Sequence, residues 1–110
     1  MAGMSKRIEN RKVVQDFFEV KRKALSVRGI FDFSYENKMK RRFLAEMNAL
    51  ARDFEHKAIG LADRGKEVNF GSELEEAFGK LKRSFLSELG RDDEIQGAVN
   101  KDLIHEIESL

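Results

Sequence analysis

Each of the two histidines in this chain follows an aspartate by three positions: Asp53 precedes His56, and Asp102 precedes His105. On a helix that spacing sets both side chains on one face. A carboxylate-x-x-histidine pair from each of two helices is also the donor pattern of di-metal sites in helical bundles. The orientation of the pairs tests the idea. At 100° per residue, with Leu50 at zero, the apolar stripe around His56 centres near about 20°, whereas Asp53 falls at about 300° and His56 at about 240°. Asp102 and His105 likewise sit beside or behind the stripe of Ile95, Val99 and Leu103. Inward-facing glutamates that would complete a donor set are not evident. Both histidines therefore read as solvated side chains, and no metal or other cofactor is expected.

Nucleophilic and phosphate chemistry find less support. The chain has no cysteine. A serine or threonine nucleophile needs an adjacent base that is itself oriented by a third group, and no such set stands out. The run Gly60-Leu61-Ala62-Asp63-Arg64-Gly65-Lys66 has some of the spacing of a phosphate-cradling loop. Yet Glu67 stands where that motif needs serine or threonine, and the run lies at a helix end, not after a strand. The chain is expected not to be an enzyme.

What stands out is charge. Residues 1–57 hold 14 Lys/Arg and 8 Asp/Glu, a formal +6; residues 58–110 hold 7 and 12, a formal −5. Asymmetry of this kind concerns partners and self-association, not fold. Lys21, Arg22, Lys23 and Arg28 close the first basic stretch, and Lys38, Arg41 and Arg42 open the second. In an antiparallel helix hairpin these seven cations would share one end of the molecule, joined by Lys40. They are the candidate contacts for phosphates or for an acidic partner surface. Phe17, Phe18, Phe31, Phe33 and Tyr35 lie near them in sequence, and aromatics beside cations can stack bases. Phe17, Phe18 and Tyr35, however, fall on apolar stripes that a core would claim. A helix-turn-helix around Leu89-Gly90-Arg91 fails, because its second helix carries six acids against Lys101 and phosphates would repel it. The first helix is basic and amphipathic enough for a membrane surface, but the same pattern serves an ordinary bundle helix.

The elements that must position these residues follow from apolar periodicity and glycine punctuation. Four helices are predicted, at 6–27, 34–64, 72–89 and 93–109, in an all-α arrangement built on a long antiparallel hairpin. In the first, Val13, Val14, Phe17, Phe18, Ala24 and Leu25 recur at helical spacing. Gly29 is read as its left-handed cap, with Ile30 touching Leu25. The second carries Tyr35, Met39, Phe43, Met47, Leu50, Phe54, Ala58 and Leu61. Its mean step of about 3.7 residues suits a globular bundle better than a left-handed coiled coil. Asp32 or Ser34 can cap it, Asp53 and Lys57 can pair at i,i+4, and Arg64-Gly65 ends it. Ser72-Glu73-Leu74-Glu75 reads as a capping box for the third helix, which Gly90 would end. Asp92, Asp93 and Glu94 then fall at the start of the fourth, where its dipole favours them. Gly79 and Gly97 weaken the third and fourth helices from within. Ile30-Phe31-Asp32-Phe33 alternates too briefly to make a strand and is expected to tuck against the core.

A chain of 110 residues fits one domain, 1–110, with 1–5 disordered or left from expression and Met4 a candidate start. Apolar residues at 41% suffice for a core, and no run is long enough to span a membrane. The leading residues lack the apolar stretch of a secretion signal, and the absence of cysteine fits a reducing cytoplasm. The function expected is that of a non-enzymatic helical interaction module, an adaptor or regulatory subunit that docks on another protein and self-associates as a homo-oligomer. Apolar residues beyond a single stripe, such as Phe18, Leu44 and Leu86, motivate it. The alternative is an accessory nucleic-acid binder using the basic hairpin.

Overall fold

The computed structural model describes the backbone of residues 2–25, 27, 29, 31–96 and 99–110. Side chains are described for the same residues except 2–4, 92–96 and 99–100. The described residues form four helices and no strand: α1 (Ala2–Ala24), α2 (Tyr35–Asp63), α3 (Gly71–Gln96) and α4 (Val99–Glu108). Helix α1 thus starts earlier than the periodicity indicates, and residues 2–5 belong to it.

The face that α2 buries mixes large side chains with three alanines. The buried line of α2 runs Asn37, Lys40, Phe43, Met47, Ala51, Phe54, Ala58 and Ala62. It is rotated from the expected stripe. Leu50 and Leu61 sit only half-buried at its edge, while the alanines take the centre. Small side chains there let α1 approach closely enough for Asn10, itself buried, to donate its amide to the backbone oxygens of Ala58 and Lys66, each at 3.1 Å. From α1 the core receives Val14 and Phe18, and from just past its end Leu25, whereas Val13 stays 46% exposed, off the stripe expected for it.

Helix α3 and the residue that precedes it pack on this hairpin through aromatic rings. Phe17 meets Phe78 at 6.1 Å, Phe43 meets Phe78 and Phe85 at 6.2 and 5.0 Å, and Phe54 meets Phe70 at 5.5 Å. Edge-on and tilted pairs of this kind add about 0.5–1.5 kcal/mol each beyond the area they bury. Leu74, Leu89, Leu103 and Ile107 complete the core. Phe18 is fully buried, while Leu44 and Leu86 pack half-buried against the core, so the residues that suggested a spare apolar surface form no free patch of their own.

Helix ends show where glycine spacing misleads. Gly65 is a left-handed cap with φ of 72°. The amide of Lys66 reaches Leu61 O and that of Gly65 reaches Ala62 O, both at 2.9 Å, which is the double bond of a Schellman motif. Gly90, in contrast, lies inside α3, which runs on to Gln96, so Asp92, Asp93 and Glu94 lie in its last turns and do not start α4. A glycine within a helix costs only about 1 kcal/mol, too little by itself to stop one. At the other end α3 already includes Ser72. The amide of Leu74 bonds Phe70 O at 2.8 Å, so the capping residue is Phe70, anchored by its contact with Phe54, and not Ser72. Arg28 and Ile30, on which the expected Gly29 cap depends, lie outside the described residues, as does Gly97.

The molecule measures 55 × 28 × 17 Å with a radius of gyration of 16.5 Å. A compact chain of this length would have about 13 Å. The loop between α1 and α2 and the loop between α2 and α3 therefore lie far apart, at the two ends of α2. Among the described residues no helix is long and apolar enough to cross a membrane.

Candidate functional site

The chemistry-bearing residues do not converge. Asp53 and His56 are exposed on α2, and Asp102 and His105 are exposed on α4. Among the described residues no group of three or more His, Asp or Glu gathers in a way that could hold a metal ion. Lys57, expected to pair with Asp53, instead lies over the Phe54 ring at 5.0 Å.

The predicted basic cluster is used largely within the chain. Lys21 donates to the backbone oxygen of Leu110 and sits 5.0 Å from the Phe78 ring centre. Arg22 donates to Asn48 Oδ1 at 2.9 Å, and Lys23 pairs with Glu19 at 3.2 Å. Arg42 holds both oxygens of Glu88, at 2.7 and 2.8 Å, and lies over Phe85. Lys38 is exposed and Arg41 half-buried, and Arg28 lies outside the described residues. Three lysines from three helices meet the end of α4: Lys40 at Glu106 (2.7 Å), Lys82 at the Glu108 carbonyl (3.2 Å) and Lys21 at Leu110. Cations there offset the negative end of the helix dipole. Opposite charge on the two halves thus joins the acidic helices to their own basic hairpin.

Lys40 is the buried member of this set, bridging Glu36 at 3.1 Å and Glu106 at 2.7 Å. Burial is the largest single influence on its ammonium and pushes toward the neutral form. The hydrogen bonds and charges of Glu106 and Glu36 together outweigh it and hold the group above its ordinary value. At the opposite end of the hairpin Arg7 donates from Nε and Nη2 to the two oxygens of Asp63, at 2.6 and 2.8 Å. Those hydrogen bonds, with the guanidinium charge, hold the Asp63 carboxyl below the usual carboxylate value.

The feature that sequence reasoning missed is the turn between α1 and α2. Phe31 and Phe33 are not tucked against the core: they are 83% and 72% exposed. The turn beneath them is tied down. Asn37, 2% exposed, donates its side-chain amide to Asp32 O at 2.9 Å and Gly29 O at 3.3 Å. Asp32 Oδ1 accepts the Ser34 amide at 3.0 Å, Ser34 Oγ accepts the Asn37 amide at 3.2 Å, and the Asp32 amide reaches Gly29 O at 3.0 Å. These bonds hold the described part of the turn without help from the core, and its two rings stand in water. The alternation Ile30-Phe31-Asp32-Phe33 carried the signal, but alternation cannot say which side faces a core.

At the far end of α2 an open groove of about 490 Å³ is lined by His56, Lys57, Gly60, Leu61, Arg64 and Phe70. Its floor is apolar and its rim cationic. Neither Lys57 nor Arg64 forms an ion pair among the described residues. A Cβ built on Gly60 would meet no atom within 4 Å, so the groove is open above it. Compared with known proteins, the chain matches no family model, no curated protein and no solved structure.

Proposed function

We propose that this protein is a non-enzymatic helical docking module that binds another protein through the aromatic tip of its α1–α2 hairpin. The observation that carries the reading is the exposure of Phe31 and Phe33 on a turn fixed by Asn37. Two such rings leave roughly 300 Å² of apolar surface in water, the size of the largest patch on a typical monomer and one that is often functional. Because the turn is already ordered, burying the rings sacrifices little further conformational entropy. Aromatic anchors entering a partner's pocket are a usual source of hot-spot energy.

The alternative, contact with nucleic-acid phosphates through the basic hairpin, has less support. Lys21, Arg22, Lys23 and Arg42 already hold partners in the chain, and a phosphate at any of these four would compete with them. The two readings separate in one experiment. A photoreactive phenylalanine analogue replaces Phe31, and the full chain is irradiated in extract of its source cells. The docking reading expects adducts of discrete protein mass that disappear when Phe33→Ser is added. Adducts to nucleic acid alone, or no adduct at all, would overturn it.

A further inference from the structure

We infer that the protein forms a homodimer through α1, two copies of which pair antiparallel along an apolar ridge on the solvent side of the helix. The ridge is Val13, Phe17, Val20 and Ala24, spaced by four, three and four residues, the step pattern of a coiled-coil seam. Helix α1 packs on α2 and touches α3 at the Phe17–Phe78 ring pair, which leaves the ridge uncovered. Val13 is 46% and Val20 66% exposed, Ala24 is exposed, and Phe17 lies half-buried between them. Valine is a poor helix former, because its branched side chain loses rotamer freedom against the preceding turn. On a solvated face no burial compensates that loss. Two valines seven apart, in line with a phenyl ring, therefore mark a surface that a partner covers. Ile8 lies about 120° round the helix from Val20 and takes no part.

Charge names the partner as a second copy. Between residues 9 and 23 the exposed charged side chains are Glu9, Arg11, Lys12, Asp16, Glu19 and Lys23, three of each sign. This stretch of the basic half is locally neutral, so two copies of it do not repel each other. The order of the charges sets the direction. Asp16 and Lys23 border the ridge, one residue before Phe17 and one before Ala24. In an antiparallel pair with Phe17 opposite Val20 and Val13 opposite Ala24, Asp16 of each copy comes beside Lys23 of the other, the flanking ion pair of such a seam. Asp16 forms no ion pair among the described residues. Lys23 pairs with Glu19 at 3.2 Å, but that pair is exposed, and an ammonium has three protons to donate, enough for Glu19 and a second carboxylate. A parallel pairing would instead set Asp16 beside Lys21, which already donates to Leu110 O, and would carry Lys23 past the end of the facing helix. The antiparallel contact uses the same residues on both copies, so it closes at two chains. About three turns of helix make a small interface, which places the dimer in the weak, concentration-dependent class.

The test is sedimentation of the full chain from dilute solution to roughly 1 mM. The wild-type mass is expected to rise from 12.7 kDa toward twice that and no further. Val13→Gln/Val20→Gln should dimerise about tenfold or more weakly. Glutamine is the better helix former and both sites are exposed, so the fold should hold, which circular dichroism checks. Asp16→Lys and Lys23→Asp each set like charges across the seam and should weaken the dimer when alone. Mixed, the two restore both ion pairs and should form a heterodimer, a rescue that only the antiparallel register gives. Phe31→Ser/Phe33→Ser leaves the ridge intact and should dimerise as wild type does. A monomeric wild type overturns the inference and leaves the tip reading untouched. It is equally overturned if the valine variant dimerises as well as wild type, if the mixed charge variants associate no better than each alone, or if the tip variant loses the dimer.

Discussion

Asn37 and Asp63 show how single side chains set the ends of this hairpin. Asn37 serves two backbone oxygens of the turn from a buried position. Replacing it with alanine should cost about 1–3 kcal/mol, the penalty for buried polar groups that lose their partners. Chemical denaturation would measure that loss, and faster hydrogen exchange at Ser34 would locate it in the turn. Asp63 gives a pH signature. Its folded-state pKa lies below the ordinary 3.8, so its bond to Arg7 adds stability above that value and loses it as pH falls through the folded value. Asp63→Asn should therefore be less stable than wild type at neutral pH, and the gap should close well below 3.8. Urea titrations at the two pH values check this. For Lys40 the sign reverses: its raised value keeps its contribution intact below 10.5 and releases it only as pH climbs higher. At this scale the sequence was legible for the histidines, whose exposure follows from their angle to the stripe. It was misleading for the cations. The hairpin alone groups Lys21 with Arg42, while their partners, Leu110 and Glu88, lie far away in sequence on the other helices.

Helix type and number were readable because apolar spacing decides them, and the capped end of α2 was readable because Arg64-Gly65 adds left-handed geometry to a change of composition. Gly90 was not. A glycine that ends a helix and one that merely passes through it look alike until the burial of the next turn is known. Their response to alanine should differ. Gly90→Ala should stabilise the protein by about 1 kcal/mol, because the position is helical and a Cβ there meets nothing within 4 Å. Gly65→Ala should destabilise it by about 1–2 kcal/mol, because φ there is 72°. Thermal melts of the two variants check both signs, and a destabilising Gly90→Ala would mean that α3 stops where the glycine stands. The connector between α1 and α2 was misjudged for a related reason. Apolar alternation does not by itself mean burial: Asn37 and Ser34 hold the described part of the turn locally, and its rings stay outside the core.

As a whole the molecule is a long, flat bundle whose charge asymmetry is mostly consumed internally, by Lys40 at Glu106, Arg42 at Glu88 and Arg7 at Asp63. Apolar surface left for partners includes two rings at one end and a cation-rimmed groove at the other, with Ile8, Val13 and Val20 exposed along α1 between them. The chain contains no tryptophan, so Phe31→Trp introduces a single, unambiguous reporter at the tip. In dilute solution its fluorescence should resemble that of indole in water and be fully quenched by an aqueous quencher, moving to shorter wavelength only as partner is added. Emission that is already blue-shifted and shielded in the dilute monomer would place the ring in the protein's own core and contradict the account at its root.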